Sequence, residues 1–146
     1  MGYYTYGTGW VHIDPPIPAS VLAGLDTGCL ACPVVETRTD HADGSYTVIP
    51  TIPRIQPPAE DGWRAYDVAG DLQRIVDRIH EQQGAGVAFT GHIYGEGEES
   101  DDVWRASVET RDGSWRAEIE RATLHWPDGS EVDRAAECGT DRLPWL

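Results

Sequence analysis

Five carboxylates, Glu96, Glu98, Glu99, Asp101 and Asp102, fall within the short stretch YGEGEESDDVW. Acids grouped this way can chelate a hard cation, dock on a basic surface, or keep a turn solvated. An EF-hand calcium loop needs a D-x-D-x-D-G run with a glutamate farther on, and that pattern is missing. The stretch lies between two β-prone runs, so a hairpin tip is expected, with Gly95 and Gly97 letting the backbone turn. A second candidate is the pair Cys29 and Cys32 in CLAC, with Cys138 far downstream. One C-x-x-C is half of a zinc site or a redox dithiol. Zinc would need Cys138 and one of His12, His41, His80, His92 or His125 to converge on it. A thioredoxin-like site would lead from a strand into a helix, whereas this pair follows a helical pattern and precedes Pro33. Free, half-buried thiols are the plain alternative.

The histidines are scattered, with no H-E-x-x-H spacing, and neither a G-x-S-x-G elbow nor a phosphate loop occurs. His12 and His92 fall in strands that can neighbour one another. The G-E-G at 95–97 lacks the following helix of a dinucleotide loop. No feature therefore argues for an enzyme or a cofactor. The last candidate is aromatic: in YYTYGTGWVHI, residues 3–13, Tyr4, Tyr6 and Trp10 share one parity, and Tyr3, Val11 and Ile13 share the other, so the strand is aromatic on both faces. If helices cover one face of such a strand, the other exposes Tyr and Trp, a composition suited to a protein interface.

Charge narrows the partners. The formal net charge is −14 over 146 residues. All eleven basic residues are Arg, and Lys and Asn are absent. A surface this acidic repels phosphate backbones and anionic lipid, which disfavours direct nucleic-acid or membrane binding. It suits cations and basic proteins instead. No apolar run is long enough for a membrane span. The N-terminus lacks the basic and apolar regions of a signal peptide, and Tyr6 stands where myristoylation wants Ser or Thr. A cytoplasmic protein is expected.

The elements that must position these residues follow from periodicity. Residues 3–13 read as a strand ended by Asp14-Pro15-Pro16. Ile17, Val21, Leu22 and Leu25 are spaced for a short helix stopped at Gly28. Two β-prone runs around Asp43-Gly44 predict a hairpin. The Pro-rich IPRIQPPAEDG that follows reads as a surface connection, not a central strand. Residues 67–83 predict the best helix: Asp67 as cap, Gly84 as stop, and Val68, Leu72, Ile75, Val76 and Ile79 as one apolar stripe. Three strands come next, with Val87, Phe89 and Ile93, then Trp104, Ala106 and Val108, then Trp115, Ala117 and Ile119 facing inward. The apolar parity of the last strand switches to Ala122, Leu124 and Trp126, which predicts a bulge near Glu120-Arg121. From about Ser130 the pattern fades. The order β-α-β-β-α-β, extended by a C-terminal meander, predicts one α+β domain over 1–146 of the ferredoxin-like, split β-α-β kind, with 130–146 as an irregular tail.

The opening MGYYTYGTGWVHIDPPIP, the segment FTGHIYGEGEESDDVWRASVE and the later HWPDG resemble an uncharacterised family of short actinobacterial and actinophage proteins. Residues 28–64 lie outside that resemblance. It implies a setting, a GC-rich bacterial or phage genome, in keeping with the missing Lys and Asn. It implies no activity and no site residues.

The leading expectation is thus a non-enzymatic acidic binding protein, a phage or mobile-element accessory that docks on a basic host protein, by nucleic-acid mimicry in its sharper form. Glu96, Glu98, Glu99, Asp101 and Asp102 would supply the charge, and Tyr4, Tyr6 and Trp10 the apolar anchors. The competing expectations are a metal-binding domain, through Cys29, Cys32 and Cys138 or through the acidic loop, an uncharacterised enzyme, and a self-assembling subunit.

Overall fold

The computed structural model describes residues 4–59, 63–99, 102–123 and 125–132. Among these, the elements are β1 (Thr5–Pro18), β2 (Val35–Asp40), β3 (Tyr46–Ile55), α1 (Val68–Gln83), β4 (Ala88–Gly97), β5 (Val103–Arg111) and β6 (Ser114–Arg121). The strands make one sheet in the order β2-β3-β1-β4-β5-β6, and every neighbouring pair is antiparallel. The class is α+β, as the sequence predicts. Among the described residues no helix is long and apolar enough to cross a membrane.

The helix forms where its signals place it. Asp67 Oδ1 accepts the Gly70 N–H at 3.1 Å, satisfying one of the amides that a helix start leaves unpaired. At the far end the Gly84 N–H returns to the His80 carbonyl. Val68, Leu72, Ile75, Val76 and Ile79 are all buried. They join Val11, Ile13 and Ile17 of β1, Ile52 and Ile55 of β3, Phe89 and Ile93 of β4, and Trp104, Ala106 and Val108 of β5 in one core. Burial of each Val, Leu, Ile or Phe among them contributes about 1.5–3 kcal/mol. Because strand side chains alternate, covering one face with α1 leaves the opposite residues of β1 and β4 facing outward.

Four expectations need correction. The helix expected over Ile17–Leu25 is absent; Ala19–Leu22 forms a single 3-10 turn, and Ile17 is instead the last inward residue of β1. Pro18 and Gly24 leave only residues 19–23 between them, little more than a turn. The predicted β-α-β-β-α-β order therefore lacks its first helix.

The prolines do not end their strands either. β1 continues through Pro15 and Pro16 to Pro18, and β3 runs through Pro50 and Pro53 with a strand on each side. Between the pairs His12–Arg54 and Ile17–Ile52, residues 13–16 of β1 stand against Pro53 alone. The missing N–H of Pro53 thus falls in an irregular stretch of the ladder. Pro50 lies beyond Pro18, which pairs with Thr51 at the end of β1, so nothing on that side asks for its N–H.

The bulge predicted at Glu120-Arg121 is also missing. The β5–β6 register is regular from Arg111–Ser114 to Trp104–Arg121, and the strand then ends. The change of parity marks that end: Ala122 N–H still donates to the Val103 carbonyl, and Trp126 N–H donates to Ser130 in the next turn.

Gly95 and Gly97, finally, belong to β4 and not to the turn. Gly95 is there for space. A Cβ on it would come 2.1 Å from Cζ2 of Trp104, whose indole lies over it. Trp63, to which the sequence assigns no role, fills a comparable gap. Its ring centre is 5.8 Å from that of Trp104, its Nε1 donates to the Cys29 carbonyl at 2.7 Å, and a Cβ on Gly7 would lie 2.6 Å from its ring.

Candidate functional site

The face of the sheet opposite α1 carries the aromatic candidates. Four cross-strand pairs of β1 and β4 build its centre: Tyr6 with Glu96, Thr8 with Tyr94, Trp10 with His92, and His12 with Thr90. Tyr6 is 70% exposed, Tyr94 47% and Trp10 42%, so the parity argument for an open aromatic face holds. Trp10 Nε1 donates to His12 Nε2 at 2.7 Å with the rings edge to face. In that bond the indole N–H donates and the Nε2 lone pair of His12 accepts. His12 and His92 lie on neighbouring strands, as the sequence allows.

The backbone under this patch is unusual. Gly9 and Gly91 have φ of 75° and 93°, a region that side chains with a Cβ avoid. A Cβ on Gly9 would lie 2.5 Å from the His92 carbonyl oxygen, and one on Gly91 would lie 2.6 Å from that of Trp10. The two glycines thus bracket the Trp10–His92 pair and bring the strands together beneath it. Arg54, opposite His12 on β3, places its guanidinium 5.1 Å from the centre of the Trp10 ring. Arg105, opposite Tyr94 on β5, pairs with Glu120 at 2.9 Å.

The acidic candidates meet this face at one end. Glu96 is exposed directly across from Tyr6. Glu98 Oε1 accepts the Tyr4 N–H at 3.2 Å, while Arg64 donates to the Tyr4 hydroxyl at 3.1 Å. The turn closes through Gly97 N–H to the Asp102 carbonyl and Asp102 N–H to the Glu99 carbonyl. Asp102 is committed to an ion pair with Arg121 at 2.7 Å and is only partly exposed. Asp101 lies outside the described residues. Tyr4, Tyr6, Glu96 and Glu98 therefore come together, Trp10 stands farther along the same face, and Glu99 is exposed in the turn. His92, Tyr94 and Arg54 belong to the patch as well. Their signal was the parity opposite the inward Phe89, Ile93 and Ile55.

The cysteines occupy a different place. Cys29 and Cys32 are half-buried against the core in the connection that follows the 3-10 turn, and Cys138 lies outside the described residues. Burial, reinforced by the neighbouring Asp71 carboxylate, pushes the Cys29 thiol up to about 12. Burial alone pushes Cys32 to about 12. Both disfavour the thiolate that metal binding and disulfide exchange use. Among the described residues no three His, Cys, Asp or Glu side chains group as metal ligands. A cleft of about 150 Å³, lined by Val76, Asp77, His80, Ser114, Trp115 and Arg116, lies between α1 and the β5–β6 hairpin. That is room for a molecule of about benzene size.

No protein-family model, curated protein or solved structure matches the chain.

Proposed function

We propose that the chain is a non-enzymatic binding domain that docks on a basic protein, with Tyr4, Tyr6 and Trp10 as anchors and Glu96, Glu98 and Glu99 as charged contacts. The observation that supports this most is the Tyr6–Glu96 pair together with the Tyr4–Glu98 hydrogen bond. These two contacts set rigid aromatic rings and carboxylates side by side. Exposed Tyr and Trp bury large area with few rotatable bonds, and so dominate the affinity of protein interfaces. Carboxylates around them steer a basic partner and fix its register. In the sharper form of the proposal Glu96, Glu98 and Glu99 stand in for the phosphates of a nucleic acid.

The resemblance to short actinobacterial and phage proteins sets the proposal in the cytoplasm of an actinobacterial host, with the chain as an accessory protein. We further propose that β2-β3-β1-β4 and α1 form a ferredoxin-like framework whose first helix has shrunk to the 3-10 turn. The strand order and antiparallel pairing support that assignment.

The test is capture from an actinobacterial lysate at low and high salt, using the wild type, the triple variant Glu96→Gln, Glu98→Gln, Glu99→Gln, and the variant Tyr6→Ser, Trp10→Ser. The proposal expects one basic protein, retained by the wild type at low salt and lost with either variant or at high salt. A partner that both variants retain, or the absence of any basic partner, would count against it.

A further inference from the structure

The hairpin of β2 and β3 extends past the body of the molecule. All six residues of β2 and the first five of β3, Tyr46–Pro50, are exposed, so both faces of the ribbon meet solvent. Val34, Val35, Tyr46, Val48 and Ile49 are among the exposed large apolar side chains. A two-stranded ribbon without a covered face is marginally stable in water. Among the described residues β2 has β3 on one side and no strand on the other. β2 carries no proline and no bulge, devices that usually blunt such an edge, and its charged residues, Glu36, Arg38 and Asp40, are of both signs and so can pair with a complementary strand.

Pro50 shows which backbone groups face that edge. It pairs with Glu36 but has no N–H, so Glu36–Pro50 is a non-hydrogen-bonded pair of the antiparallel ladder. Val35, Thr37 and Thr39 then bond to β3, and Glu36, Arg38 and Asp40 turn their N–H and C=O groups outward. We propose that this edge is a self-association surface, on which the β2 strand of a second copy pairs antiparallel about a two-fold axis at Thr37.

Charge selects the register. Centred on Thr37, Glu36 of each copy faces Arg38 of the other, Val35 faces Thr39, and the outward groups of Glu36 and Arg38 face one another as ladder bonding requires. Centred on Arg38, the same strands would oppose Arg38 to Arg38 and Glu36 to Asp40. Centred on Glu36, they would oppose Glu36 to itself. Centred on Thr39, the pairing would slide off β2 into the turn at 41–44. Arg38 can make the exchange, since it sits at the surface in an exposed pair with Asp40. On the other face of the ribbon Val35, Thr37, Thr39, Thr47 and Ile49 carry no charge, and the pairing makes that strip continuous across the two copies. The contact is isologous and closes at a dimer. At physiological salt the repulsion between two acidic chains is confined to about 8 Å.

Sedimentation velocity of the full chain over a wide dilution series tests this. The wild type should show a monomer–dimer equilibrium. Glu36→Arg and Arg38→Glu should each weaken the dimer about tenfold, because each turns two attractive cross-strand pairs into repulsive ones. The double variant, which restores opposite charges, should recover most of the affinity. Glu36→Arg leaves the contacts of Arg38 with Asp40 and Tyr46 in place, and amide exchange in β2 and β3 checks that the hairpin is intact. A chain that stays monomeric throughout, a dimer indifferent to Glu36→Arg, or single variants that the double does not rescue would each overturn the proposal.

Discussion

The Asp71 carboxylate, on the first turn of α1, accepts the backbone N–H of Cys29 through Oδ2 at 2.9 Å and pairs with Arg74 through Oδ1 at 3.0 Å. It ties the irregular segment after the 3-10 turn to the helix. Burial opposes its charge, but hydrogen bonds from the Cys29 backbone and thiol, with Arg74 beside them, outweigh burial and hold the carboxyl below its ordinary range. A folded value below the unfolded one of about 3.9 means the stabilisation is present above about pH 4. It is lost as pH falls through the folded value. Asp71→Asn should cost about 1–3 kcal/mol at neutral pH, because the Cys29 amide loses a charged acceptor. It should also flatten the acid limb of the stability profile, measured by urea unfolding from neutral to low pH.

The two half-buried thiols should be slow nucleophiles. With Cys29 and Cys32 at about 12, iodoacetamide at neutral pH should label both far more slowly in the folded chain than in denaturant, read site by site by peptide mass spectrometry. The sign for stability is fixed by the same shifts. The unfolded thiols ionise from about pH 8.5 while the folded ones stay protonated, so their contribution declines as pH rises from there towards 12. Rapid labelling of either thiol in the native state would contradict this.

Gly95→Ala should destabilise by about 1–3 kcal/mol, as an overpacked core position does, because the added methyl meets the Trp104 indole. Thermal unfolding measures the loss. The Trp104 ring forms the inner wall behind the acidic end of β4, so the variant should also alter tryptophan fluorescence.

The acids of the turn should matter little for folding. Of Glu96, Glu98 and Glu99, the first should change stability by no more than about 0.5 kcal/mol when replaced by Gln, as at ordinary surface positions. Glu98→Gln, which weakens the bond from the Tyr4 N–H, should cost up to about 1 kcal/mol. Asp102→Asn removes the charge from a partly exposed pair with Arg121 and should cost about 1 kcal/mol. Calorimetry of the variants separates these effects from binding, where the first three acids are expected to dominate.

Periodicity carried most of the fold. α1 was legible from Asp67, Gly84 and its apolar stripe, and the hairpin from Asp43-Gly44, because caps, stripes and turns are local signals. The misreadings arose where a local rule yields to tertiary pairing. Proline is excluded from a ladder only where its N–H is wanted, and at Pro50 and Pro53 it is not. Ile17 and Val21 look helical in spacing, yet one is buried by a strand and the other by a 3-10 turn. Gly95 looked like a turn residue, and only the position of Trp104 shows that it makes room. For the candidate site, alternation placed Tyr6 and Trp10 on the open face. The nearness of Glu96 and Glu98 needed the β1–β4 register, which no spacing within either segment encodes.

The central claim is that the open sheet face beside the acidic turn meets a basic protein. The most direct measurement is photo-crosslinking in an actinobacterial lysate, with a photoreactive phenylalanine analogue at Tyr6 and, as control, at the exposed His80 of α1. Adducts from position 6 to a basic protein, competed away by high salt and missing from position 80, are the predicted result. Equal adducts from both positions, or none from position 6, would contradict the account.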